Sequence, residues 1–119
     1  MLDTKLLGQR GELIAKEYLL KNNYKILAAN YKSGYQEIDI ITKKNKEYIF
    51  IEVKTRLKNS ESINENPLAK HQVKNLKIAI LNYAHENKIN LELIHLDLII
   101  ILVDSAKKRA ELKHYRDVF

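Results

Sequence analysis

Residues 36–55 read QEIDIITKKNKEYIFIEVKT, and this stretch decides the fold. It holds two runs of alternating apolar residues joined by the polar segment KKNK at 43–46. Two such runs separated by a short polar turn are typical of a β-hairpin. We therefore predict antiparallel strands at residues 36–42 and 47–55, with a two- or four-residue turn centred between Asn45 and Lys46.

The turn fixes which residues of the two strands face each other. A symmetric turn at this position pairs residues whose numbers sum to 91, so that Asp39 faces Glu52 and Glu37 faces Lys54. An odd number of turn residues would shift the register by one residue and separate these pairs. Because side chains alternate between faces, we also expect Ile38 to share its face with the isoleucine at 40, opposite the acids.

Two carboxylates directly opposed on neighbouring strands repel each other, and apolar surroundings raise the cost of their charge. Lys54 can neutralise the charge of one carboxylate, but a divalent cation can neutralise the charges of both. Carboxylate oxygens, completed by water and phosphate, suit Mg²⁺ or Mn²⁺, and such an ion activates water and stabilises charge on a phosphate. The residues leave one alternative open, an ion-pair lattice in which Glu37 pairs with Lys54 and the other acids are exposed.

Periodicity and end signals predict two helices and three strands outside the hairpin. The helices are expected at residues 3–22 and 67–86, and the strands at 24–28, 92–104 and 111–115, with a polar loop at 58–66. The buried stripes are expected to be Leu7, Gly11, Ile14, Ala15, Tyr18 and Leu19 on the first helix, and Leu68, Val73, Leu76, Ile80 and Tyr83 on the second. The order αβββαβ, with a last edge strand, favours the mixed α/β class.

The bulk properties narrow the function classes. A chain of 119 residues predicts one domain over residues 1–119, and the absence of cysteine excludes disulfides, Cys-ligated zinc and thiol catalysis. The N-terminus lacks a signal-peptide core and the apolar run at 98–103 is too short to span a bilayer, so we expect a cytoplasmic protein without a membrane partner. The formal net charge of +6 favours a polyanionic partner such as nucleic acid.

The tyrosine and histidine residues are weaker candidates for a functional role than the acids of the hairpin. The four histidines lack the spacing of metal ligands, and we expect them at the surface or near phosphate. Tyr18 and Tyr83 fall on apolar helix faces, which favours the core, whereas Tyr31 and Tyr35 flank the segment before the acids and are candidates for stacking on bases.

Several of these segments together resemble the YraN-like family of small bacterial proteins. That family is grouped with the PD-(D/E)XK, or restriction-endonuclease-like, nucleases, near the archaeal Holliday junction resolvases, and the resemblance spans nearly the whole chain. The motifs that carry it are EIDII at 37–41, FIEVKTR at 50–56 and DVF at 117–119, with Gly8, Gly11, Glu12, Ala15, Tyr18, Leu19, Asn30, Gln72, Lys74 and Asp97. The chain departs from the family pattern at Gln36, His71 and His95.

The resemblance implies a restriction-endonuclease-like αβββαβ core with a central mixed sheet flanked by helices. Its implied active site comprises Asp39 and Glu52 as ligands of Mg²⁺ or Mn²⁺, with Lys54 and with Glu12 from the first helix. The residues expected to contact nucleic acid are Lys32, Tyr35, Arg56, Gln72 and Lys74. By analogy with the junction-acting relatives, a homodimer is the expected assembly.

Three functions are compatible with these observations. The first is a divalent-metal-dependent endonuclease that hydrolyses DNA phosphodiester bonds, including those of branched or damaged DNA. The second is an accessory module that binds nucleic acid without useful catalysis. The third is a structural interaction protein whose acids form only an ion-pair network.

Overall fold

A computed structural model describes residues 4–58 and 68–118 of the protein. The helices are α1 (Thr4–Lys21) and α2 (Lys70–Glu86), and the strands are β1 (Lys25–Ser33), β2 (Gln36–Lys44), β3 (Glu47–Leu57), β4 (Ile94–Asp104) and β5 (Arg109–Tyr115). All five strands belong to one sheet in the order β1-β2-β3-β4-β5. The predicted fold class, a mixed α/β sheet flanked by helices, is confirmed.

The β2–β3 hairpin has the predicted register. Only Asn45 and Lys46 separate the two strands, and Asn45 takes the left-handed conformation (φ 57°) that tight hairpin turns require. Bonded pairs run from Lys44–Glu47 to Ile40–Ile51, and in each pair the two residue numbers sum to 91. Asp39 and Glu52 are the next residues beyond the last bonded pair, where the ladder between the two strands ends.

The sheet is mixed because one of its connections is a crossover. β3 pairs with β4 in parallel, whereas the pairs β1–β2, β2–β3 and β4–β5 are antiparallel. A parallel pair needs a long connection from one end of the sheet to the other, and α2 lies within that connection. Both β3 and β4 are interior strands of the sheet, and each contributes buried residues to both of its faces.

Two apolar cores lie on opposite faces of the sheet. Ala15 and Leu19 of α1 pack with strand residues such as Ile51 on one face. Leu76 and Ile80 of α2 pack with the alternate strand residues on the other face. Strands that are buried on both faces read as continuous apolar runs, which is why residues 98–102 are all aliphatic. The predicted stripes are confirmed in part: Gly11, Ala15, Leu19, Leu76 and Ile80 are buried, and Ile14, Tyr18, Val73 and Tyr83 are partly buried. Leu68 is buried but precedes α2, and Leu7 lines neither core.

One predicted face assignment is wrong. Ile38 packs in the core on the α2 side and Ile40 in the core on the α1 side, so these two residues do not share a face. The neighbouring strand β1 changes phase at the facing position, where Asn30 has φ 53°. Ala28 and Tyr31 consequently both pack on the α2 side, although they are three residues apart, and β2 follows the same change of phase.

Several predicted element boundaries also differ from the structure. The first strand extends to Ser33 rather than to residue 28, since β1 continues to pair with β2 past the irregular Asn30. The fourth strand begins at Ile94, because Leu91–Leu93 form a 3-10 turn that the Asn90 side chain caps. The helix starts predicted at residues 3 and 67, most of the loop predicted at 58–66 and the terminal Phe119 lie outside the described residues. Within the described part of the chain, neither helix combines the length and apolar character needed to cross a bilayer.

Candidate functional site

A cleft of about 900 Å³ opens between the N-terminal half of α1 and the sheet. Helix α1 passes so close to β3 there that a Cβ on Gly11 would lie 1.8 Å from the Thr55 hydroxyl. The cleft is lined by Thr4, Lys5, Leu7, Gly8, Gln9, Glu12, Asn30, Glu37, Asp39, Glu52, Val53, Lys54, Thr55, Arg56 and Leu57. All four residues predicted as catalytic are thereby brought together.

Asp39 and Glu52 form the buried centre of the cleft. Beyond the last bonded pair of the hairpin, the Val53 N–H donates to Asp39 Oδ2 at 2.8 Å. The Asp39 carboxyl group thus accepts the hydrogen bond that a backbone carbonyl of β2 would otherwise accept. Only 9% of Glu52 is exposed. Burial, followed by hydrogen bonding to Glu52 and repulsion by its charge, raises the pKa of Asp39 to about 8. Asp39 therefore keeps a proton near neutral pH unless a cation takes its place.

Lys54 completes the centre from the same strand. Its Nζ lies 3.7 Å from Glu52 Oε2, and both side chains are largely buried. In the ion-pair lattice considered as an alternative, Lys54 would instead pair with Glu37, and no such pair occurs among the described residues. The ammonium is thus directed to the acid at the centre of the cleft.

A second pair of acids lies beside the first. The Asn30 amide faces three carboxylate oxygens, to which only its nitrogen can donate. With the amide oriented accordingly, the nitrogen donates to both Glu12 oxygens, at 3.1 and 3.3 Å, and to Glu37 Oε1 at 2.8 Å. Burial, then the charge of Asp39, raises the pKa of Glu12 above its ordinary value, and the hydrogen bond from Asn30 opposes that rise. Sequence reasoning gave Glu37 only an ion-pair role, although its i, i+2 spacing from Asp39 was a signal that it belonged to the same site.

The donor set of the cleft fits a hard divalent cation. Four carboxylates line it against three cationic side chains, those of Lys5, Lys54 and Arg56, although the protein as a whole carries a formal net charge of +6. Among residues 4–58 and 68–118, no three Asp, Glu or His side chains are placed to enclose an ion by themselves. Water and phosphate would therefore fill the remaining positions around Mg²⁺ or Mn²⁺, as is usual for Mg²⁺.

The residues predicted to contact nucleic acid are spread over the molecule. Arg56 lines the cleft, where its Nη1 donates to the Thr55 carbonyl at 3.0 Å. Lys32 and Tyr35 lie at the β1–β2 hairpin end outside the cleft, and Tyr35 is fully exposed. Gln72 and Lys74 lie in the first turns of α2, also outside the cleft lining. Their roles remain predictions.

The histidines do not all lie at the surface, as the sequence suggested. His114 is buried between the Tyr18 hydroxyl, 2.7 Å from its Nδ1, and Asp97 Oδ2, 2.7 Å from its Nε2. This chain of polar contacts joins α1 to β5 and β4, and Asp97 also accepts the backbone N–H of Asp117 at 3.0 Å. The sequence gave no sign of it, because the three residues are far apart along the chain.

Comparison with known proteins gives a consistent result over most of the chain. The model of a family described as "Uncharacterised protein family UPF0102" matches residues 11–101. A UPF0102 protein of Chloroherpeton thalassium is 34% identical over 94% of this chain and 87% of its own length. One of Caldicellulosiruptor bescii is 33% identical over 99% of this chain and 100% of its own length. This agreement confirms the YraN-like resemblance, and the chain belongs to the UPF0102 family.

Proposed function

We propose that the cleft is the active site of a divalent-cation-dependent endonuclease that hydrolyses DNA phosphodiester bonds. The observation that carries the proposal is the pair of adjacent, largely buried carboxyls of Asp39 and Glu52, with the Lys54 ammonium 3.7 Å from the latter. Keeping two buried acids charged costs free energy of folding, so we expect a protein to retain such a pair only where it has a function. A perturbed acid in an open cleft is also a common mark of a functional site.

The chemistry of the site can be assigned residue by residue. Asp39 and Glu52 would hold Mg²⁺ or Mn²⁺, which when bound lowers the pKa of a water molecule and withdraws charge from a phosphate oxygen. Lys54 is placed to orient the attacking water or to stabilise the charge that develops on the phosphoryl oxygens. Glu12 projects into the same cleft from α1 and would accept a proton from that water.

DNA is the proposed polyanion because the molecule is basic outside the cleft. A formal net charge of +6 favours approach to a phosphate backbone. Arg56 at the cleft wall would contact the backbone next to the scissile bond, with Lys32, Tyr35, Gln72 and Lys74 as more distant contacts. From the family resemblance we also propose branched or damaged DNA as the substrate and a homodimer as the assembly.

The decisive experiment measures nicking of supercoiled DNA by purified protein with Mg²⁺ or Mn²⁺. Wild-type protein should nick the DNA, and Asp39→Asn and Lys54→Ala should each lose that activity. Asp104→Asn and Lys113→Ala are matched controls, because both residues lie on the sheet outside the cleft, at the end of β4 and on β5. Activity that survives both cleft substitutions would contradict the assignment.

Titration of Mn²⁺ in a calorimeter separates the remaining functions. The endonuclease requires that wild-type protein bind Mn²⁺ and that Asp39→Asn bind it far more weakly. Salt-sensitive DNA binding without cleavage by either metal would instead favour the accessory module. Absence of both Mn²⁺ and DNA binding would leave only the structural ion-pair network.

A further inference from the structure

Asn30 has a backbone conformation that its place in the fold does not by itself explain. Its φ of 53° lies in the left-handed region, which is uncommon for residues other than glycine. The other non-glycine residues with positive φ in the described chain all lie in turns or after the ends of elements, whereas Asn30 lies inside β1. A residue held this way within a strand commonly serves to direct a side chain.

The strand register places Asn30 at the cleft. Ala29 pairs with Ile40 and Tyr31 with Ile38, so Asn30 stands opposite Asp39. The left-handed turn of the backbone at this point puts the side chain among the carboxylates. In the amide orientation that these acceptors require, the nitrogen lies 3.1 and 3.3 Å from the two oxygens of Glu12, and 2.8 Å from Glu37 Oε1.

An amide suits this position for an electrostatic reason. Its nitrogen carries two N–H donors, which match two carboxylates that would otherwise repel each other. A lysine or arginine would also bridge them, but its charge would cancel theirs and compete with a cation for the cleft. Asparagine fixes the positions of both acids and leaves their negative charge available, and it tolerates the left-handed conformation better than most residues.

We propose that Asn30 is a positioning residue that holds Glu12 and Glu37 beside the Asp39–Glu52 pair, where the two glutamates would fix the water molecules of a divalent cation bound at that pair. The inference rests on the proposed function, and it adds two residues, Asn30 and Glu37, to the site. Asn30 does not touch the cation or the DNA, and it acts only through the two glutamates.

The test compares Asn30→Gly with wild-type protein. Glycine adopts positive φ readily, so this variant keeps the backbone and removes only the amide. Its Kd for Mn²⁺, measured by calorimetry, should rise by about ten- to a hundredfold, the usual effect of losing a residue that orients metal ligands. In the nicking assay kcat should fall while KM for DNA stays constant, which a merely structural loss would not produce.

Asn45→Gly is the matched control, because Asn45 also has positive φ (57°) but lies in the β2–β3 turn, outside the cleft. It should leave both the Mn²⁺ affinity and the thermal midpoint close to wild type, and Asn30→Gly should match that midpoint. Wild-type protein that binds Mn²⁺ no better than Asn30→Gly does would overturn the role of Asn30 alone. Wild-type protein that binds no Mn²⁺ at all would overturn the proposed function, and this inference with it.

Discussion

Asp39 keeps a proton near neutral pH because folding buries it next to another acid. Its pKa of about 8 lies far above the ordinary aspartate value of 3.8, first because of burial and then because of Glu52. Between those two values the folded protein binds a proton that the unfolded chain has released. Without a cation, each step up in pH across this interval therefore disfavours the folded state.

The first prediction concerns this pH dependence. In EDTA, the free energy of unfolding of wild-type protein should fall as pH rises from about 4 to about 8, by at most ~1.4 kcal/mol per pH unit. Asp39→Asn should flatten the curve, since its amide can donate to Glu52 while its oxygen still accepts the Val53 N–H. Urea unfolding at several pH values measures both curves.

Added Mn²⁺ should restore the stability of wild-type protein at pH 8 and leave Asp39→Asn unchanged, because a ligand stabilises only the state that binds it. Curves of equal slope for the two proteins in EDTA would show that Asp39 does not carry the proton.

At the residue scale, the sequence predicts correctly the contacts that the short β2–β3 turn determines. Asp39 and Glu52 meet because a two-residue turn sets the register, and that turn is readable from KKNK. Asn30 could not be assigned in the same way. Its role depends on one left-handed backbone angle inside a strand, and alternating patterns carry no signal for such an angle.

At the scale of secondary-structure elements, the two glycines of α1 have different environments. A Cβ on Gly11 would lie 1.8 Å from Thr55 Oγ1 and 3.0 Å from Thr55 Cβ, so rotation of the threonine side chain would not relieve the contact. A Cβ on Gly8 would have no other heavy atom within 4 Å. Gly11 thus sets the distance between α1 and β3, whereas packing within the chain gives no reason for Gly8.

The second prediction follows from that difference. Gly11→Ala should destabilise the protein by about 1–3 kcal/mol, the usual cost of overpacking, and should weaken Mn²⁺ binding by moving Glu12 away from Asp39. Gly8→Ala is the matched control within the same helix and should raise stability by ~1 kcal/mol. Chemical denaturation of both variants provides the measurement, and equal effects would refute the assigned helix–strand contact.

Element boundaries were less accessible from sequence than element types. Residues 29–33 extend β1 beyond its predicted end, through pairing with β2. The start of β4 was placed early because Leu91 and Leu93 continue its apolar pattern, although they belong to a 3-10 turn. Pairing with β2 decides where β1 ends, whereas a local turn capped by Asn90 decides where β4 begins.

At the scale of the whole molecule, the charges are divided between two regions. Four of the fifteen acidic residues line one cleft, while the chain as a whole carries a formal net charge of +6. Three cationic side chains also line the cleft and Asp39 keeps a proton near neutral pH, so a phosphate backbone would be repelled at the cleft only above about pH 8, where Asp39 is ionised. A divalent cation removes that local repulsion, so cation and DNA binding should favour each other.

The third prediction measures this coupling. At constant ionic strength, with a DNA analogue that resists cleavage, Ca²⁺ or Mg²⁺ should raise the DNA affinity of wild-type protein several-fold. At about pH 9, above the pKa of Asp39, Asp39→Asn should bind the DNA more tightly than wild type without a cation and should gain little when one is added. Fluorescence anisotropy gives both affinities, with Asp104→Asn as the control. A cation effect that is equal in all three proteins would place the coupling outside the cleft.

The parallel pairing of β3 with β4 has a consequence for the order in which the protein is made. β3 ends at Leu57, but β4 begins only at Ile94, so the ribosome must synthesise all of α2 before the two strands can meet. The β2–β3 hairpin is complete much earlier, because its two strands are adjacent in the chain. At about 5–20 residues per second, the nascent hairpin waits on the order of seconds with one edge uncovered. We expect co-translational chaperones to engage the chain during that interval.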